Sequence, residues 1–168
     1  MIKTFYLMRH GQTRFNVQGR IQGMCDSPLT EERIEQAKAA RRYFEQEGIT
    51  FTRVYSSTQE RACDTAELAT GRVDYIRLKG IKEMDFGAYE AHQEYLNPPV
   101  HHEDGSDYRD FFVRYGGEST AQVYECMEQT IREVLEDSKE DETLLFVSHG
   151  GAIMRFYLHA TKNPPIPK

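Results

Sequence analysis

The segment Thr143-Leu144-Leu145-Phe146-Val147 constrains the fold more than any other stretch of the chain. It is a short apolar run with no polar alternation. Such a strand belongs inside a parallel sheet covered by helices on both faces, not on a half-wet antiparallel surface. The run stops at Ser148-His149-Gly150-Gly151, and Ala152 to Leu158 then reads as a helix. A buried strand feeding directly into a helix predicts an α/β architecture.

The remaining pattern agrees. Lys3 to Met8 is a compact first strand that ends in Arg9-His10-Gly11, and a loop with Gly19, Gly23 and Pro28 follows. Thr30 is placed to cap a helix whose first turn carries Glu31 and Glu32, where the helix dipole favours anions. Ile34, Ala37, Ala40 and Phe44 recur at helical spacing before Gly48, a C-terminal stop. A second strand spans about Arg53 to Ser56, and the helix from about Thr58 to Ala69 turns Ala62, Ala66 and Ala69 inward. Val73 to Leu78 is a third strand candidate. Ser119 and Gln122 form a capping box for a long helix whose stripe is Val123, Met127, Thr130, Ile131, Val134 and Leu135. Alternating strands and helices predict one sheet with helices on both sides.

At 168 residues, without repeats or low-complexity linkers, the chain reads as a single domain, 1–168. Residues 90–117 interrupt the pattern with His, Pro, Tyr and charge, and read as a lid-like insertion. No apolar run approaches the roughly 20 residues of a membrane span. The start Met1 to Leu7 is too short for a secretory signal, so the cytoplasm is the expected location. Cys25, Cys63 and Cys126 are too scattered for a disulfide framework or structural zinc site. The net charge of -6 and the lack of a basic cluster argue against a nucleic-acid partner. They do not argue against a small anionic substrate, because a few convergent cations suffice for that.

Three strand ends carry related chemistry: Arg9-His10-Gly11, Ser56-Ser57 with Arg61 close behind, and Ser148-His149-Gly150-Gly151. In open α/β sheets, ligands sit beyond the carboxyl ends of the strands, where helix N-termini add free N–H groups. Two imidazoles and two guanidiniums would meet there. Guanidiniums grip phosphoryl oxygens, and a neutral imidazole is a competent nucleophile near neutral pH. A proton donor for the leaving oxygen is also needed, and either Glu83 or Asp85 could supply one. A lone His at a strand end is more often a hydrogen-bonded structural residue. Two of them, each between an apolar strand and glycine, form a more specific signal.

The run Met8 to Asn16 resembles the signature of the histidine phosphatase superfamily, the phosphoglycerate mutase-like proteins. The similarity continues through Arg20 to Gly23, Asp26 to Thr30, Ser56-Ser57, Arg61-Ala62 and Thr65-Ala66. It extends over Glu83, Phe86-Gly87, Tyr89-Glu90 and Gly116 to Ser119, and closes at Ser148 to Gly151. The resemblance implies a three-layer α/β/α sandwich with a mixed, mostly parallel central sheet. It also implies that His10 carries the phosphoryl group and that Arg9, Arg61 and His149 surround it. Asn16 and Gln22, with the backbone near Gly23 and Gly150, would bond phosphoryl oxygens. Glu83 would serve as acid and then base. Neither metal nor cofactor is implied, and the partner is a small phosphorylated substrate.

Gln22-Gly23-Met24 and His149-Gly150-Gly151 are closer to the phosphatase branch than to mutases, which typically carry Gly-Trp and His-Gly-Asn there. A phosphomonoester hydrolase is therefore expected. A phosphoglycerate mutase and a non-catalytic phospho-ligand binder are the alternatives. A metal site at His101, His102, Glu103 and Asp104 lacks any ligand spacing. Two departures from the family pattern are Ala91, where Gly is usual, and Cys126, where Arg is frequent. Many relatives continue with another strand beyond the point matching Pro164 to Pro167, so either a further segment or a smaller sheet is expected.

Overall fold

The computed structural model of the chain describes residues 3–97 and 108–162. The strands are β1 (Phe5–Arg9), β2 (Arg53–Ser57), β3 (Ile76–Leu78) and β4 (Leu144–Ser148). They form one sheet in the order β1-β4-β2-β3, and every pair is parallel. The expected α/β sandwich is thus present, and its described strands are all parallel. The helices are α1 (Arg14–Val17), α2 (Glu31–Gln46), α3 (Glu60–Thr70), α4 (Thr120–Asp137) and α5 (Gly150–Lys162).

Residue alternation divides the core in two. Val54, Leu145 and Val147, with Tyr6 and Met8 beside them, pack against Phe44 of α2 and Ala62 and Ala66 of α3. On the other face Tyr55, Leu144 and Phe146 meet Val123, Met127 and Ile131 of α4 and Ala152 of α5. All five residues of β4 are buried, as expected of a strand enclosed between two layers. Truncating one of its large side chains, Phe146→Ala for example, costs about 3–5 kcal/mol. Alanines let α3 approach the sheet closely, since Ala62 and Ala66 are fully buried. Both halves of the expected capping box open α4, with Ser119 Oγ accepting from the Gln122 N–H at 3.2 Å.

Three local expectations change. Thr30 occupies the cap position of α2, but its side chain makes no cap bond and its hydroxyl is buried without a partner among the described residues. The third strand is only Ile76–Leu78, because Val73 is exposed and precedes the register with β2. The loop after β1 contains the short helix α1, closed by a capping box between Thr13 and Asn16.

The described ends of the 90–117 insertion are held by rings. Phe112 is fully buried and packs edge-on against Phe86, Tyr89 and Tyr108. The metal-site candidate His101 to Asp104, the segment Pro164 to Pro167 and the middle of the insertion lie outside the described residues. No helix among the described residues is long and apolar enough to cross a membrane.

Candidate active site

Strand register assembles the site. Arg9 of β1 pairs with Ser148 of β4, and the His10 N–H donates to the Ser148 carbonyl at 3.0 Å. His10 and His149, one residue beyond that pair, therefore lie side by side with ring centroids 5.0 Å apart. Ser57 ends β2 on the other side of β4, and its hydroxyl lies 2.7 Å from His149 Nε2. Arg61 enters from the first turn of α3 and is almost wholly buried.

The hydrogen bonds assign the tautomer of His10. Its Nδ1 lies 2.6 Å from the Gly11 carbonyl, which can only accept. Its Nε2 accepts from Arg61 Nε at 3.3 Å. The proton is therefore on Nδ1, and the lone pair on Nε2 faces a cation. Burial first, then the Arg61 charge, lowers the His10 pKa to about 4. The ring is neutral at neutral pH.

Ser57 Oγ accepts from the Gln59 N–H at 3.2 Å and shares a 2.7 Å hydrogen bond with His149 Nε2. Nδ1 of His149 is buried with no hydrogen-bond partner among the described residues. Burial, reinforced by Arg61, holds the His149 pKa well below the ordinary imidazole value.

Arg61 is held by the loop before α2. Its Nη1 donates to the Cys25 carbonyl and to Asp26 Oδ1, both at 2.9 Å, and its Nη2 donates to the Gly23 carbonyl at 2.9 Å. Asp26 also accepts the Glu60 N–H at 2.6 Å at the start of α3.

Glu83 is 9% exposed and sits at the N-terminus of α5. Its Oε2 accepts from the Gly151 N–H at 2.9 Å, and Oε1 accepts from Ala152 and Met84, both at 3.0 Å. Burial raises its pKa, and those N–H groups together with Arg61 oppose the rise without cancelling it. A Cβ on Gly151 would lie 2.6 Å from Glu83 Oε1, so a side chain there would displace that carboxylate. Asp85 accepts the Gly87 N–H at 2.7 Å and closes a turn away from the cavity. Of the two acid candidates, only Glu83 reaches the cleft.

Two clefts meet at Arg9, Asn16 and Glu94. One, of about 490 Å³, is lined by Glu83, Gln22, Met84, Phe86, Tyr108 and Arg155 among others. The second, of about 500 Å³, exposes His10, Gln12 and Arg33. Asn16 Oδ1 accepts from the Thr13 N–H at 3.1 Å, leaving its amide N–H groups for the cleft. Gln22 is oriented by the Thr13 hydroxyl and by Ser27 Oγ. Gly150 brings the backbone against Arg9, since a Cβ would lie 3.0 Å from that guanidinium.

Gly23 differs from expectation. Its N–H is not directed to an empty anion site but donates to Glu90 Oε2 at 3.1 Å. Ser57, Asp26 and Glu90 were not singled out for roles by sequence reasoning; only their places in the matching motifs marked them. No group of three or more His, Cys, Asp or Glu that could hold a metal occurs among the described residues.

Residues 5–166 match the histidine phosphatase superfamily (branch 1). The metal-independent phosphoserine phosphatase of Arabidopsis thaliana is 31% identical over 163 residues, which is 93% of this chain and 68% of that protein. The phosphoserine phosphatase of Entamoeba histolytica, solved with 3-phosphoglyceric acid, is 29% identical with a TM-score of 0.77, covering 96% of this chain and 81% of that one. A phosphoglycerate mutase from Bacillus anthracis str. Sterne shares the fold, with a TM-score of 0.82 at 22% identity over 99% of this chain and 83% of that one. The chain spans 32% to 41% of the length of several other curated relatives it matches. On its profile match and its relatives, the chain belongs to the histidine phosphatase superfamily (branch 1).

Proposed function

We propose that this chain is a metal-independent phosphomonoester hydrolase acting through a phosphohistidine on His10, with a small phosphorylated metabolite as substrate. The observation that carries this reading is the neutral His10 ring, with its Nε2 lone pair beside Arg61 and Arg9 and with Glu83 on the adjoining cleft.

In the first step Nε2 attacks phosphorus and the bond to the ester oxygen breaks. Glu83, whose pKa burial raises, acts as the acid and gives a proton to that oxygen. Arg61 Nε loses its acceptor as Nε2 becomes bonded, and turns to a phosphoryl oxygen. Arg9, Asn16 and His149 stabilise the charge spreading over those oxygens. The Nδ1–H donated to Gly11 disperses positive charge from the phosphorylated ring. In the second step Glu83, now ionised, takes a proton from water. The water oxygen attacks phosphorus, the P–N bond breaks, and orthophosphate leaves with His10 neutral again.

The leaving group belongs in the Glu83 cleft. Its walls are apolar at Ile21, Met84, Phe86 and Val123 and polar at Gln22, Asn97 and Arg155. A small, polar organic portion fits such a lining. The test is hydrolysis of an aryl phosphate in chelator by wild type and His10→Ala. Phosphate release that is lost by about 10⁴-fold or more in the variant supports the reading. Undiminished release by His10→Ala, or transfer between sugar-acid positions without net release, contradicts it.

A further inference from the structure

Glu90 lies outside the clefts yet gathers four backbone donors. Oε2 accepts from Gly23 at 3.1 Å and Cys25 at 3.0 Å, and Oε1 accepts from Met24 and Phe86, both at 2.9 Å. Three successive N–H groups thus converge on one carboxylate, an arrangement that ordinarily cradles an anion. The carbonyls of the same loop, Gly23 and Cys25, face the other way and hold both terminal nitrogens of Arg61. Arg61 in turn donates to the Nε2 of His10. The loop has little freedom to adapt, since a Cβ on Gly23 would collide with the Met84 carbonyl, the Glu90 carboxylate and the Phe86 ring. Beyond Glu90 the chain stays stitched to the same strip, with Ala91 N–H donating to Ile21 O at 3.0 Å and Ile21 N–H to His92 O at 2.8 Å.

We propose that Glu90 is a positioning residue: an anion supplied by the chain itself that fills the N–H cradle of residues 23–25, so that the carbonyls of that loop aim Arg61 at the phosphoryl group on His10. The proposal rests on the phosphatase reading of the site. It assigns the cradle to a fixed carboxylate and leaves phosphoryl oxygens to the side chains. It also links the 90–97 segment, whose Glu94 and Asn97 line the substrate cleft, to the phosphate pocket through one side chain.

Glu90→Gln keeps the size of the group but turns a donor toward two donors, and Glu90→Ala empties the cradle. A displaced guanidinium costs on the order of 10²-fold in kcat/KM. The loss is expected to be equal for aryl and alkyl phosphates, because Arg61 acts on the phosphoryl group and not on the leaving oxygen. Glu90→Gln added to Arg61→Ala is expected to cost nothing further, and formate is expected to restore part of the Glu90→Ala activity. A purely structural role would instead give additive losses, an activity change that follows the melting temperature, and no rescue. Those results would overturn the proposal.

Orthophosphate affinity, measured by calorimetry, provides a readout that does not need turnover. Weaker orthophosphate binding in folded Glu90→Gln supports the positioning role even if the wild type proves inactive on every ester tried. Unchanged orthophosphate affinity and unchanged kcat/KM in that variant would overturn it.

Discussion

The two edges of the sheet handle charge in opposite ways. At the amino end, Arg53 of β2 is matched by carboxylates: it pairs with the exposed Asp137 at 2.8 Å and with the half-buried Glu142. Lys3 nearby donates to the carbonyls that end α4. At the carboxyl end, His10, Arg61, Glu83 and His149 are buried together, with Arg61 the one guanidinium among them. Arg61 has the one carboxylate contact of Asp26, and His149 Nδ1 has no partner among the described residues. Burying such groups is unfavourable unless they are satisfied, and on the proposed function a phosphoryl anion is what completes the carboxyl edge. One edge stabilises the fold, and the other holds unmet hydrogen-bonding capacity for a ligand.

Glu83→Gln tests that division with the largest expected effect. Removing the acid should slow alkyl phosphate hydrolysis by about 10²–10⁴-fold. Aryl phosphates, whose leaving groups need little protonation, should suffer far less in phosphoenzyme formation. Steady-state and single-turnover rates on both ester types check this, and equal losses in the formation step would place the acid elsewhere.

The pH profile sharpens the same comparison. With the His10 pKa lowered to about 4, the acid limb of kcat/KM should lie near pH 4 instead of near 6.5. Stability follows with a definite sign. Between the unfolded value of 6.5 and about 4, the unfolded chain binds protons that folded His10 does not. The fold therefore loses stability as pH falls through that window, and His149 adds in the same direction. Denaturant melts from pH 7 to pH 4 should show the loss, and His10→Ala should lessen it.

Arg53→Ala should do the reverse of Glu83→Gln. It removes the pairing at the amino edge and lowers the melting temperature, while kcat/KM stays within about twofold because the substitution is distant from the site. A large kinetic loss would break the separation of the two edges. The smallest effect is expected at Ala91, which holds a left-handed φ of 65°. Ala91→Gly relieves that strain at the cost of glycine's extra chain entropy, for a net gain of about 0.5–1 kcal/mol. Thermal melts would register it, and a loss of stability would mean the strain is not there.

The parts legible in the sequence were those with a periodic or terminal signal. The run at Leu144 to Val147, the alanine face of α3 and the capping box of α4 follow from spacing alone. The two histidines were legible because each stands between an apolar strand and glycine, and parallel register brings such strand ends together. Glu90 and Asp26 were not, because no spacing encodes a carboxylate that reaches amides 65 to 67 residues away, as Glu90 does, or a guanidinium 35 residues away, as Asp26 does. Thr30 looked like a side-chain cap, yet its backbone N–H is spent on the Gln12 carbonyl at 3.0 Å and its hydroxyl is enclosed.

The central claim is that the phosphoryl group passes onto Nε2 of His10. The direct measurement is a rapid alkaline quench of wild type and Glu83→Gln mixed with an aryl phosphate in chelator, followed by mapping of the phosphorylated residue by mass spectrometry. The account predicts a phosphoryl adduct on His10 that appears before phosphate release and accumulates further in Glu83→Gln, where no carboxylate activates water. An adduct on another residue, or phosphate release with no adduct in either protein, would contradict it.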